Sequence, residues 1–148
     1  MNVEFKDLPS MIGQETCLSD WLLVDQERVN KFAEATGDFQ WIHVDVERAQ
    51  REIGGTIAHG FLTLSLIPAL SSSKLTVRGV SRAVNYGSDK VRFTGMVKVG
   101  KRVRLRQKLL AVEPRGGGLQ LRNECTVEIE GEERPALVAE ILLVYYGE

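Results

Sequence analysis

The sequence predicts an α+β domain in which a bent antiparallel sheet wraps over one buried helix. Three observations carry that reading. Apolar residues recur with a helical spacing before residue 60 and alternate with a strand spacing from residue 82 onward. Between the two regimes lies the segment 59–70, HGFLTLSLIPAL, apolar on nearly all sides. It is too short to cross a bilayer, which takes roughly 20 residues, so it belongs at the centre of a fold.

Composition narrows the class further. A chain of 148 residues is expected to form one domain, 1–148, burying about two-thirds of its unfolded surface. Hydrophobic content of 43% with a net charge of -1 excludes dominant disorder. The balance of 19 Lys+Arg against 20 Asp+Glu gives no electrostatic case for nucleic acid or an anionic membrane as partner. Cys17 and Cys125 are too few for a disulfide framework or a four-ligand zinc site. No sustained apolar run follows Met1, and acidic residues begin at Glu4, so a reducing cytoplasm is the default.

The elements follow in order. Met11-Ile12 and the apolar run 21–24 predict one or two entry strands. Asp25 is a good N-cap for the first helix, with Val24 and Val29 spaced as a hydrophobic staple. Val29, Phe32 and Ala33 share one helical face, and Gly37 stands where a helix stops. A second short helix over 46–52 is capped by Asp45 and ended by Ile53-Gly54-Gly55. Pro68 should kink or end the central helix, because it removes one backbone donor. Beyond residue 82, Val103, Leu105, Gln107 and Leu109 alternate with Arg102, Arg104, Arg106 and Lys108. The turns 113–118 (EPRGGG) and 131–135 (GEERP) then separate long antiparallel strands.

Most catalytic signatures are absent: GxSxG, GxxxxGK(S/T), GxGxxG and HExxH do not occur. What remains is the chain's two histidines. Asp38 precedes His43 by five positions, just after the helix stop, with Phe39, Trp41 and Ile42 as apolar bulk around a loop. One reading gives Asp38 a turn to cap and His43 a half-buried place. The other makes them an acid–base pair, since burying both without a task costs stability. His59 stands at the mouth of the central helix. Gly60, next to it, leaves room for a substrate carbonyl to approach the unpaired N–H groups of the first turn. Close packing of helix on sheet would also explain that glycine.

Residues 35–45, ATGDFQWIHVD, followed by Ile57-Ala58-His59-Gly60, resemble the hydratase-2 motif of the MaoC-like dehydratases. These include the (R)-specific enoyl-CoA hydratases, which have the hotdog fold. Gln40-Trp41 and Val84-Asn85-Tyr86-Gly87 are most similar to the nodulation-protein-N-like branch. The resemblance implies that Asp38 and His43 grip a catalytic water and that Gly60 N–H polarises a thioester carbonyl. It implies reversible hydration of a trans-2-enoyl-CoA to an (R)-3-hydroxyacyl-CoA. Phe39, Trp41, His59, Phe61 and Asn85 are then candidate substrate contacts. The resemblance makes the acyl-CoA the substrate, requires no metal or redox cofactor, and implies a homodimer as the partner state. Two departures stand out. Many members carry Asn-Pro where this chain has Gln40-Trp41, and the helix serine of some members falls on Pro68.

An acyl-CoA thioesterase and a non-catalytic acyl-CoA-binding protein are the rival readings on the same fold. The row Arg102, Arg104, Arg106 and Lys108 is either a solvated strand face or a contact for the coenzyme phosphates.

Overall fold

Caps decide where the helices begin and end in the computed structural model, which describes residues 1–148. In α1 (Gln26–Thr36) the Asp25 carboxylate accepts from Arg28 N–H at 2.9 Å, and Gly37 closes the helix at φ 81°. In α3 (Val46–Ile53) Asp45 accepts from Arg48 N–H at 3.1 Å, and Gly54 closes it at φ 78°. Both stops are left-handed, which is why glycine holds them. A one-turn helix, α2 (Trp41–Val44), lies between them where a loop was expected.

Proline splits the central segment. α4 (Gly60–Ser65) and α5 (Ile67–Ser72) break at Leu66, and Pro68 sits in the first turn of α5, where its missing donor costs nothing. Leu62, Leu66, Ile67 and Leu70 are buried against the sheet. The expectation of burial on all sides is corrected: Gly60, Phe61, Ser65, Pro68 and Ala69 are exposed. The apolar stripe is thus one-sided within a single chain.

The sheet is antiparallel, in the order β2 (Glu15–Leu18), β6 (Arg102–Arg115), β7 (Gly118–Ile129), β8 (Leu137–Gly147), β5 (Val80–Phe93). The short β3 (Leu22–Leu23) also pairs with β6. A separate parallel pair joins β1 (Asn2–Glu4) to β4 (Thr76–Arg78). Of the expected entry strands, the run 21–24 yields β3, while Met11-Ile12 does not form one, since Met11 ends a 3-10 helix over Phe5–Met11 and the next strand begins at Glu15. Gly116 and Gly117, at φ 54° and 83°, make the tight hairpin between β6 and β7.

Alternation on β6 is realised as written. Val103, Leu105, Gln107 and Leu109 are buried, while the arginines between them face outward. There Arg102 meets Glu130 at 2.7 Å, Arg104 meets Glu128 at 2.6 Å and Arg106 meets Glu15 at 2.8 Å. Two neighbouring strands and the turn after β7 supply those carboxylates, so the three arginines are paired, while Lys108 of the same row takes part in no ion pair. At the far edge, β5 is exposed along almost its whole length, with no strand on its outer side. No helix is long and apolar enough to cross a membrane.

Candidate active site

His43 owes its position to backbone groups. Gln26 reaches from α1 to donate to the His43 carbonyl at 2.8 Å, and Gln26 accepts from the Thr56 hydroxyl at 2.6 Å. This clamp fixes the one-turn helix that carries the imidazole. The ring then meets the Ile57 carbonyl through Nδ1 at 2.7 Å. A carbonyl can only accept, so Nδ1 carries the hydrogen and Nε2 of the neutral ring keeps its lone pair. His43 is 7% exposed and lines a cavity of about 450 Å³, with Gly60, Thr63, Phe93, Met96 and Arg134 also on its wall.

Asp38 approaches the same place from the loop after Gly37. One of its oxygens accepts from Gln40 N–H at 3.3 Å, and the residue is exposed. Asp38, His43 and His59 each bring a carboxylate or ring-nitrogen atom within 4.8 Å of one another. Two polar groups at that spacing can hold one water between them. They make a poorer metal site. The two imidazoles stack with centroids 3.8 Å apart and planes 23° apart, and one nitrogen of each, His43 Nδ1 and His59 Nε2, is taken up by a backbone carbonyl and so is not free to ligate. Gly60 is the first residue of α4, so its N–H precedes the intrahelical ladder.

The surroundings correct several expectations. The pair does not lie in a dry loop: His43 is on a helical turn, and Asp38 and Phe39 are exposed. Trp41 turns away to sit beneath the Arg48 guanidinium, 4.1 Å from its ring centre. Phe61 is 68% exposed and meets Phe93 edge-on rather than entering the cavity. His59 is buried behind His43, off the cavity wall. Asn85 lies on β5 and faces a different groove, beside Pro68 and Ile141. His43 and Gly60 share the wall of this cavity, and Asp38 comes within 4.8 Å of His43, but neither Asp38 nor any of the five predicted substrate contacts lines the cavity within one chain.

Sequence reasoning missed Gln26, Thr63 and Arg134. Arg134 is the charged residue on the cavity wall, and it takes part in none of the ion pairs of the fold. Its neighbours Glu132 and Glu133 face another hollow, next to Trp21 and Arg104. The turn after β7 therefore separates its charges, presenting the cation to the cavity.

A hotdog fold is the class these elements define. An R-hydratase from Pseudomonas aeruginosa superposes with a TM-score of 0.75 at 23% identity, over 93% of this chain and 83% of that one. An (R)-hydratase from A. caviae gives 0.72 at 22% identity, over 89% and 94%. The profile described as "MaoC like domain" matches residues 7–127, and the chain belongs to the MaoC-like dehydratase family. It is 51% identical over 141 residues to the 3-hydroxyacyl-thioester dehydratase Z of Mycobacterium tuberculosis, covering 94% of this chain and 93% of that protein. It is also 51% identical over 137 residues to Nodulation protein N of Rhizobium leguminosarum bv. viciae, covering 90% and 85%.

Proposed function

We propose that this protein is a hydro-lyase that reversibly hydrates trans-2-enoyl-CoA thioesters to (R)-3-hydroxyacyl-CoA. The observation that carries the reading is the state of His43. The Ile57 carbonyl fixes its hydrogen on Nδ1, so Nε2 is free as a base, and a ring nitrogen of His43 and the Asp38 carboxylate lie within 4.8 Å of each other. Asp38 and His43 hold the water. Its oxygen bonds to C3 while His43 Nε2 takes a proton. Charge then builds on the thioester oxygen, where Gly60 N–H at the start of α4 stabilises the enolate. A proton returns to C2 and completes the addition. The steps are proton transfers and one C–O bond, so no resident cofactor is called for.

The nucleotide end of the coenzyme lies toward Arg134 on this reading, because Arg134 faces the cavity without an ion-pair partner while Arg102, Arg104 and Arg106 are already paired. The partner is a second copy of this chain. The bare edge of β5 exposes Val84 at 47% and Tyr86 at 49%, an edge that pairing removes. Light scattering should return twice the 16.5 kDa chain mass, and an active monomer would overturn that part. The activity is tested with crotonyl-CoA. Loss of the enoyl absorbance with no free thiol supports hydration. Thiol release from a saturated acyl-CoA would make the protein a thioesterase, and binding with neither reaction would make it a non-catalytic hotdog.

A further inference from the structure

We propose that His59 is a positioning residue, tying the Asp38 loop to the buried scaffold and so fixing Asp38 relative to His43 and Gly60. The inference rests on the roles given above to those three residues. His59 is 3% exposed and is the last residue before α4. Its carbonyl accepts from Leu62 N–H at 3.1 Å and Thr63 N–H at 3.3 Å, which closes the first turn behind Gly60. Its ring lies on the His43 ring, and Phe32 packs against it at 4.8 Å. Its Nε2 is 3.0 Å from the backbone carbonyl of Asp38. One residue thus meets the Asp38 backbone and the His43 ring through its side chain and the first turn of α4 through its carbonyl.

The hydrogen bonds of His59 separate this role from packing. A carbonyl only accepts, so Nε2 carries the hydrogen and Nδ1 is left as an acceptor. That Nδ1 is buried with no partner. An unmatched polar atom in the interior is costly, and a phenyl ring would fill the same space without it. What a phenyl ring cannot supply is the N–H on Asp38. The other hydrogen bonds of the loop are local: Gln40 N–H to the Asp38 carboxylate and His43 N–H to the Gln40 carbonyl. The His59 bond alone joins this exposed loop to the central helix. A shift of the carboxylate by roughly 1 Å is enough to cost on the order of a hundredfold in rate.

Two substitutions divide the roles. His59→Phe keeps an aromatic ring and removes the donor; His59→Gln removes the ring and keeps an N–H of similar reach. With crotonyl-CoA, His59→Phe should lower kcat by roughly 10- to 100-fold with KM within about twofold, while the melting temperature holds or rises. His59→Gln should recover most of that loss. In an Asp38→Asn background, His59→Phe should cost almost nothing further, since it acts through Asp38. Amide hydrogen exchange of residues 38–40 should quicken in His59→Phe, a readout that stands even if the wild-type protein proves not to be a hydratase. Should the Phe variant fail to fold, His59→Leu replaces it as the donor-free form. Unchanged loop exchange in the donor-free variant overturns the proposal. So does wild-type kcat there, or a well-folded Gln variant no better than Phe.

Discussion

Gly60→Ala separates the two explanations of that glycine, because the space around it is defined. A methyl built on Gly60 would stand 2.9 Å from Phe93 Cδ1, 3.0 Å from Cε1 and 3.2 Å from Cγ. Those separations are too short, so the ring must move. It is free to do so, being 49% exposed and touching Phe61 edge-on at 5.9 Å. The stability terms are small and opposed. Alanine gains up to about 1 kcal/mol over glycine in a helix, less at its first residue, and a disturbed aromatic contact costs about 0.5–1.5 kcal/mol. The melting temperature should therefore stay within about 4 °C of wild type. Activity should not be spared. The methyl and the displaced ring fill the wall of the cavity that holds His43, where a thioester oxygen must come within about 3 Å of the Gly60 N–H. Losing one such donor costs roughly 10²- to 10³-fold in kcat. Crotonyl-CoA hydration followed by absorbance, beside a thermal melt, reads both quantities. Gly60→Ala/Phe93→Ala should regain about tenfold or more by giving the methyl room. A fully active Gly60→Ala protein would refute the oxyanion role, and a melt lowered far beyond that range would make Gly60 a packing residue.

Asp38→Asn and His43→Ala should each lower kcat by about 10²- to 10⁴-fold with the fold intact. The double variant should cost far less than the product, because both residues hold one water. Arg134→Ala should raise KM for an acyl-CoA several-fold with little change in kcat, an effect lost with a short N-acetylcysteamine thioester; an unchanged KM at low salt would remove Arg134 from the coenzyme site. Burial works against ionisation of Glu128, yet hydrogen bonds from Arg104 and Arg106 hold its carboxyl below the usual range. That depressed value adds stability above the unfolded carboxylate range near pH 4.3, and the gain disappears as pH falls through the folded value. Glu128→Gln should thus lose up to about 1 kcal/mol at pH 7 and match wild type in strong acid by denaturant melts. Burial first, then Cys17 and Glu124, pushes the Cys125 thiol up to about 12, so native protein should resist Ellman's reagent at that residue and react fully once unfolded.

What was legible in the sequence is what is decided within a few residues. The Asp25 and Asp45 caps and the Gly37 and Gly54 stops act on their own helix ends, and alternation on β6 needs only its own side chains. The parallel pairing of Val3 with Val77 joins distant segments, and three-residue strands leave too little pattern to reveal it. The site divides in the same way. The spacing from Asp38 to His43 can be read directly, but the group that makes His43 a base is the carbonyl of Ile57, which every residue possesses. Residue type also misleads about direction. Trp41 and Phe39 are the large aromatics next to the pair, yet one pairs with Arg48 and the other faces solvent. The basic strand was left open between two readings for a different reason: the carboxylates that pair with its arginines, Glu15, Glu128 and Glu130, lie far off in the sequence, so the pairing of the row is a property of the sheet.

One disagreement between sequence and single-chain structure has a physical resolution. A segment apolar on nearly all sides should not leave Phe61 and Ala69 in water, nor should a long strand carry Val84, Tyr86 and Phe93 uncovered. The uncovered parts adjoin: Leu64, Ser65 and Pro68 of the central segment line one groove with Asn85, Gly87 and Ser88 of β5. In the proposed homodimer, a second β5 edge would lie along this margin, and the composition of the central helix then suits the assembly rather than the protomer. The same arrangement gives Asn85 a different setting. It does not line the His43 cavity of its own chain, but it stands on the edge that the second copy would share. Placing a lysine at Val84 tests the point: if β5 edges pair, Val84→Lys should yield folded monomers, whereas an unaffected dimer would put the interface elsewhere.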